Sequence, residues 1–494
     1  MTKFFDLAVI GGGINGCGIA ADAALRGLSV ILIEKDDIAS KTSSSSSKLI
    51  HGGLRYLEYY DFSLVKKALD ERQTLLSLAP HLIDPLPFVL PYLPSMRPMW
   101  LLRAGLFLYD NLSRKNKLPK SKLIKRAPSS LYFSPLKQNL TKGFLFYDCN
   151  TDDARLTLVN ALQAKEYGAE IHSYTALTDA SVKNNTWHLQ LCDQQGQFTT
   201  CQARSLVNAT GPWVASINHL LGLDTRYQMS LIKGSHLVVR KLYEGNQAYL
   251  LQNNDKRIVF VIPYHHYSLI GTTDVPFKGD LNQVSISPEE IDYLLNLISL
   301  YFNQPLTNND ILFSWSGVRP LIAEPGESPQ AISRDYTYHY TSLPAPAVTI
   351  YGGKITTYRQ LAREAVNQLK TVFPHLSHSI THKTPLPGAV FHNLSYQDYV
   401  QYAHKKYSWL ADDILKRLLK TYGTRLELIL AHCNQLSDLG LNFGHGLFQR
   451  EVDYLREQEW VIQVDDLLWR RTKLGINFDS VATEKLANYL LGKD

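Results

Sequence analysis

The run 5–35, FDLAVIGGGINGCGIAADAALRGLSVILIEK, constrains the fold of this chain more than any other stretch. Residues 7–10 form an apolar strand, a glycine turn and an alanine-rich helix follow, and a second apolar strand ends at Glu34. Gly11, Gly13 and Gly16 occupy the positions of a G-x-G-x-x-G turn. The first allows the tight turn, the second lets backbone approach a pyrophosphate, and the third lets helix and strand pack closely. The helix N-terminus offers free N–H groups and the positive end of its dipole to phosphate. Glu34 follows Gly16 by 18 residues, close to the offset of about 20 at which a carboxylate accepts the hydroxyls of an adenosine ribose. The same acid would repel a ribose phosphate. A dinucleotide is therefore expected against Gly11, Gly13, Ile14, Asn15, Gly16, Glu34 and Lys35.

A second loop, SSSSSKLIHGGLRYLE (43–58), is not needed by a plain NAD fold. Its hydroxyls and bare glycine backbone suit a ribityl chain and flavin ring, so the expected dinucleotide is FAD. Candidate contacts here are Thr42, Ser43, Ser44, Ser47, Leu49, His51 and Gly52. NATGPW follows the strand-like SLVNA and adds Asn208, Ala209, Thr210, Gly211 and Trp213. In YGGKITTYRQLAREAV, Gly352 and Gly353 precede a strongly helical run, with Lys354 and Thr356 beside its start. That helix end suits the N1/O2 edge of a flavin, where partial positive charge stabilises a developing anion. Gly317, in SGVRPL, joins the set.

At 494 residues the chain is long enough for two or three domains, and its 45% apolar content is that of an ordinary globular protein. A net charge of +6 suits anionic substrates or an anionic membrane surface and does not point to nucleic acid. Five scattered cysteines without a C-x-x-C pair imply a reducing compartment, no disulfide framework and no metal site. Residues 1–6 lead straight into the first strand, so no signal peptide is expected. The uncharged stretch 205–223 carries Asn208, Gly211, Pro212, Asn218 and His219 and reads as strand, turn and helix rather than a membrane span. Residues 97–126 set Trp100, Leu101, Leu102, Leu106, Phe107 and Leu108 beside nine Lys/Arg and one acid. Two readings stand for this segment, contact with an anionic bilayer or a core helix followed by a solvated basic loop.

Helical periodicity recurs at 64–78, 154–167 and 288–302, and strand patterns at 187–191, 205–208, 258–262 and 268–271. The expected fold class is α/β, a parallel nucleotide-binding sheet with a second, largely antiparallel sheet inserted through its connections. From 386 strand signals vanish, and 402–423, 424–433, 448–471 and 480–492 read as helices. The predicted division is an FAD-binding domain of about 1–75, 145–225 and 315–385, a substrate domain of 76–144 and 226–314, and a helical cap of 386–494 after a Pro/Gly joint.

SSSSSKLIHGGLRYLE, FYDCNTDDARLTL, LVNATGPWV, LIKGSH, KRIVFVIPY, IGTTDV, SGVRPL, SPQAISRDY, YGGKITTYR and DDLLWRRTKLG together resemble the FAD-dependent glycerol-3-phosphate dehydrogenases of bacterial aerobic metabolism, almost end to end. The resemblance implies a glutathione-reductase-like FAD domain, an antiparallel substrate sheet and a helical cap. It implies oxidation of sn-glycerol 3-phosphate to dihydroxyacetone phosphate, with electrons passing to ubiquinone or menaquinone. It also implies a peripheral protein, commonly a homodimer, on the cytoplasmic side of the inner membrane. The chain has no D-x-[DN]-x-[DN]-G calcium loop like that of mitochondrial relatives, and looks shorter than the oxygen-using glycerophosphate oxidases. A quinone acceptor is therefore favoured.

A phosphomonoester dianion calls for planar, bidentate cations. By resemblance, Arg334 and Arg55 go to the phosphate or substrate hydroxyls, and Arg319 and Lys354 to the flavin-proximal end. The C2 hydroxyl proton needs a base, for which His51, Tyr56 and His236 are unranked candidates. Thr272, Thr273 and Asp274 read either as substrate holders or as a hairpin turn. Rival readings are an amino-acid or sarcosine-type oxidase, which would want one arginine for a carboxylate, and a non-catalytic FAD-binding module.

Overall fold

The computed structural model describes residues 2–94, 97–127, 130–253, 255, 257–322 and 335–493, excepting the side chains of Arg55, Glu58 and Tyr59. Strand β1 (Lys3–Ile10), helix α1 (Ile14–Leu25) and strand β2 (Val30–Ile33) form as the sequence predicts. β1 lies between β2 and strand Phe198–Asn208, parallel to both, and the sheet continues in parallel through Ala347–Tyr351 and Glu170–His172. Ile10 stands opposite Ile33 on one side and Asn208 on the other, so three strands end level with one another. Ligands of open parallel sheets bind beyond such carboxyl ends. α1 is rich in alanine and glycine and buried on nearly every side, packed between helices Asp153–Glu166 and Tyr358–Gln368.

In a second, mostly antiparallel sheet Met229–Arg240 lies near one edge, paired on one side with Tyr267–Gly271 and along its length on the other with Ile311–Ile322. Its far side runs through Ile83–Pro91 and Lys142–Thr151 to the two-residue strand Leu49–Ile50. The serine loop therefore leaves the first sheet and enters the second. One face of this sheet is covered by helix Pro288–Tyr301, whose first turn is closed by a Ser287/Glu290 capping box. The other face packs against helices Phe62–Leu78 and Met99–Asn111.

Beyond residue 388 a separate apolar cluster is built from helices Tyr396–Lys406, Asp412–Tyr422, Gln449–Gln458 and Ser480–Leu490. Three sequence expectations need correction here. The helix expected over 402–423 is two, divided where His404, Lys405 and Lys406 end one and Asp412 and Asp413 begin the next. Those charges favour a C-terminus and an N-terminus respectively. The run 448–471 also breaks after Gln458, and its last turn, Asp466–Arg471, is π-helical. Strands do not vanish, because Asn442–Gly444 and Leu447–Phe448 form a small hairpin about His445 and Gly446, both at positive φ. The stretch 205–223 is strand, turn and helix as expected, and among the described residues no helix is long and apolar enough to cross a membrane.

His81 is fully buried beside Gly388, Gly423 and Phe391, with no hydrogen-bond partner among the described residues on either ring nitrogen. Burial, helped by Arg155 and Lys420, pushes its pKa down to about 3. As pH falls below about 6.5 the unfolded chain takes up a proton that the folded chain refuses. Stability should therefore drop with acidification, by about 2 kcal/mol between pH 7 and 5 from this group alone. His81→Leu should flatten that dependence, as read from urea midpoints at the two pH values. Equal slopes would remove His81 as the cause.

Candidate functional site

The glycines of the first turn are fixed by contact as well as by conformation. Gly11 has φ +108°, and a Cβ on Gly16 would lie 1.8 Å from the Gly11 carbonyl oxygen. α1 thus starts tight against the sheet, with its first N–H groups directed into a cleft. The Ile14 N–H donates to Ser43 Oγ at 2.9 Å, which brings the serine loop to the start of α1. Glu34 accepts the N–H of Gly12 at 2.6 Å and of Asp36 at 2.9 Å. Burial leaves its carboxyl above the usual range despite those two donors.

The serine loop is held from several directions. Thr42 Oγ donates to the Val318 carbonyl at 2.8 Å, and Ser46 Oγ donates to Asp153 at 2.7 Å. Lys48 Nζ reaches the same carboxylate at 2.6 Å. Ser47 Oγ lies 2.9 Å from Nε2 of His236, whose ring stacks on Trp315. Burial, then the charges of Lys48 and Arg319, keep His236 well below the usual histidine range, so the ring is neutral. Arg319 donates to Asp274 at 2.7 Å and to the Thr273 carbonyl at 3.0 Å. A Cβ on Gly234 would meet its guanidinium. Gly352 and Gly353 both have positive φ; the Asn15 amide donates to the Gly352 carbonyl at 3.2 Å, and Lys354 Nζ lies 3.9 Å from the centre of the Tyr56 ring.

These segments enclose one elongated cleft of about 420 Å³. Its walls bring together Gly11, Gly13, Ile14, Asn15, Glu34, Lys35, Thr42, Ser43, Ser47, Leu49 and His51 from the first part of the chain. Later parts add Tyr56, Ala209, Thr210, Gly211, Trp213, His236, Gly317, Arg319, Gly352, Gly353, Lys354 and Thr356. Four candidates do not line it. Gly16 is packed against the turn, and Ser44 Oγ is turned onto the Lys41 carbonyl. Gly52 sits behind Leu69 and Tyr109, and the buried Asn208 amide is spent on Val214 and Asn218. Arg334 and the Arg55 side chain lie outside the described residues. Thr272 and Asp274 do line the cleft, while Thr273 Oγ is held by Glu290.

Sequence reasoning missed the apolar end, where Leu54, Phe88, Phe146, Leu250, Ile258 and Phe260 face inward beside Asp148. Leu54, Phe146, Ile258 and Phe260 fall in segments that carry the resemblance, but nothing in those segments marks them as a wall of the cleft. For Phe88, Phe146, Leu250, Ile258 and Phe260 the inward parity of their strands would have found them. An FAD fits the residues present. A glycine turn bare of Cβ atoms faces the helix start, Glu34 stands at the sheet edge, and the cleft ends in an apolar wall with Lys354 and Arg319 beside it.

Residues 6–359 match the profile of the FAD dependent oxidoreductases, and residues 379–489 that of the C-terminal domain of alpha-glycerophosphate oxidase. The glycerol-3-phosphate dehydrogenase of Pseudomonas aeruginosa is 48% identical over 99% of this chain and 96% of its own length. The D-erythritol 1-phosphate dehydrogenase of Brucella abortus is 44% identical, over 95% of this chain and 94% of its own. The crystal structure of the glycerol-3-phosphate dehydrogenase from Bacillus halodurans complexed with FAD has a TM-score of 0.74 at 26% identity, covering 99% of this chain and 94% of that one. Together with the cleft, these likenesses place FAD as the cofactor, and the chain belongs to the FAD-dependent oxidoreductases, in the family of the bacterial glycerol-3-phosphate dehydrogenases.

Proposed function

We infer that the protein oxidises sn-glycerol 3-phosphate at C2 to dihydroxyacetone phosphate and passes the electrons to a membrane quinone. The observation that carries this reading is the joining, in one cleft, of the dinucleotide turn to an end bearing Arg319 and Lys354. Those cations suit an anionic polyol phosphate, with Arg55 and Arg334 assigned to the phosphate by resemblance. When bound, FAD supplies the two-electron acceptor. The chain itself must hold the C2 carbon and take the hydroxyl proton, and His51, His236 and Tyr56 all line the cleft. His236 is already neutral, as a proton acceptor must be.

The test is an anaerobic absorbance titration of the purified holoenzyme. sn-Glycerol 3-phosphate should bleach the flavin bands, and a quinone analogue should restore them faster than air. Bleaching by D-erythritol 1-phosphate but not by sn-glycerol 3-phosphate would move the substrate to the longer polyol. Bleaching by an amino acid alone would sink the phosphate reading.

Peripheral attachment to the cytoplasmic face of the inner membrane, as a homodimer, belongs to the same reading. Helix Met99–Asn111 buries Leu106 and Tyr109 and turns Trp100, 71% exposed, and Phe107, 64% exposed, outward. Arg114, Lys115, Lys117 and Lys120, all exposed, follow it. Reversing Lys115, Lys117 and Lys120 to glutamate should weaken partition onto anionic vesicles at least ~100-fold, at about 1 kcal/mol per charge. Equal binding by the variant would place the membrane contact elsewhere. The division into FAD-binding, substrate and cap domains is likewise our reading, supported by distinct apolar clusters centred on the parallel sheet, on one face of the second sheet and in the C-terminal helices, while a further cluster joins Leu49, Val65 and Leu69 to the second sheet's other face.

A further inference from the structure

The loop between Glu34 and Leu49 contributes Glu34, Lys35, Lys41, Thr42, Ser43 and Ser47 to the cleft. Apart from the single turn Thr42–Ser44 it contains no helix or strand. Its own backbone therefore does not fix these groups, and contacts from elsewhere must. Near its start, Asp37 is buried at 1% exposure and bound by two arginines from the far end of the chain. Arg471 donates to both its oxygens, at 2.7 and 2.8 Å, and Arg470 Nε donates at 2.5 Å. At the other end of the loop Ser46 and Lys48 are held by Asp153. The neighbouring Asp152, which caps the same helix, is paired with Lys473 at 3.3 Å.

One short segment, 466–473, thus binds the loop directly at Asp37 and, through Lys473 on Asp152, the helix start that holds its other end. The segment is itself rigidly placed. Asp466 accepts the N–H groups of Ile462 and Gln463 and the hydroxyl of Tyr174, and Arg471 Nη2 donates to the Glu459 carbonyl at 2.6 Å. Trp469 lies flat on Phe313, 4.1 Å between ring centres, on the strand that carries Gly317 and Arg319. A buried carboxylate is stable only when paired and hydrogen-bonded, so Asp37 has one low-energy position, the one the arginines define.

We propose that segment 466–473 of the helical C-terminal part is a clamp on the FAD loop, through Arg470 and Arg471 on Asp37 and Lys473 on Asp152, and that it sets how tightly the nucleotide end of FAD is held. Arg470, Arg471 and Asp37 are positioning residues; none touches the cofactor in this scheme. The effect needs only FAD as cofactor and is independent of which polyol phosphate is oxidised.

The test follows FAD release from the diluted holoenzyme by the recovery of flavin fluorescence, with no substrate present. Asp37→Asn and Arg470→Gln should each raise the FAD dissociation constant about 10-fold or more, and Arg470→Lys should recover most of the loss. The comparison variant is Glu166→Gln, which breaks another ion pair to the C-terminal part, that with Arg425, away from the loop. It should leave the constant unchanged. The midpoint potential of bound flavin and the substrate KM at saturating FAD should stay at the parent values, because the clamp acts on the nucleotide end. Arg470 is partly exposed and Arg471 remains on Asp37 in its absence, so Arg470→Gln should fold, as checked by melting in excess FAD. A folded Arg470→Gln and Asp37→Asn with unchanged FAD affinity would overturn the proposal. So would an equal loss in Glu166→Gln, which would reduce the segment to ordinary interface packing.

Discussion

Arg319→Ala should lower turnover of sn-glycerol 3-phosphate by about 10²–10³-fold, the scale lost when one preorganised charge-stabilising donor is removed. FAD content should remain near stoichiometric. Arg319 projects from strand Ile311–Ile322 into the cleft, aligned by Asp274 and by the Thr273 carbonyl. Gly234 lacks the Cβ that would displace it, so the strand partner is shaped around this guanidinium. The planar fork matters as well as the charge. Arg319→Lys should therefore recover only part of the loss, remaining about 10-fold below the parent, because an ammonium cannot reproduce two parallel donors. The measurement is kcat and KM beside the flavin-to-protein absorbance ratio. Parent-like turnover in Arg319→Ala would remove the residue from the reacting end. Loss of flavin in step with activity would make it a folding residue instead.

The βαβ unit was legible because every signal for it is local. Apolar runs, glycine spacing and the acid after the second strand fall within 30 residues, and the structure keeps their order. The second sheet was legible only in pieces. Strands such as Ile258–Tyr264 announce themselves, but the parallel pairing of Ala248–Gln252 with Ile83–Pro91 joins segments far apart in sequence, and no local pattern encodes it. Ile83–Pro91 was hidden by Pro85, Pro87 and Pro91, which normally argue against a strand between two partners. Their shared parity explains the exception. The Tyr92 N–H donates to the Lys142 carbonyl, so the even positions point towards that strand and the prolines turn their missing N–H away from it. On that other side the pairing covers Phe88 and Val89 alone. At the site the glycines, hydroxyls and cations were visible as motif residues. The clamp on Asp37 was not, since its arginines are separated from it by 433 and 434 residues. DDLLWRRTKLG is one of the strings that carry the resemblance, but nothing in it points to Asp37, and 448–471 reads as a helix.

Gly16→Ala should yield a protein that loses its FAD on gel filtration and is destabilised by about 3 kcal/mol, the upper part of the range for overpacking a close contact. The added Cβ would fall 1.8 Å from the Gly11 carbonyl oxygen and 3.0 Å from its carbon, and both are backbone atoms. Neither can swing aside. The Gly11 N–H is bonded to the Ile33 carbonyl at 2.8 Å, and a shift of Gly11 would carry its Cα towards Ala209. α1 must move instead, yet its opposite face is packed as closely, with Gly18 against the Tyr358 ring. The helix start would leave the position at which its N–H groups meet phosphate, so binding and stability fall together. Gly27→Ala is the matched comparison. Gly27 has φ +89° and, among the described residues, nothing within 4 Å of an added Cβ, so that substitution should cost only the left-handed strain of about 1–2 kcal/mol and leave FAD in place. Stoichiometric FAD in Gly16→Ala would mean that the turn tolerates a wider separation of helix and strand than these contacts allow, and the close approach of α1 would no longer account for cofactor binding.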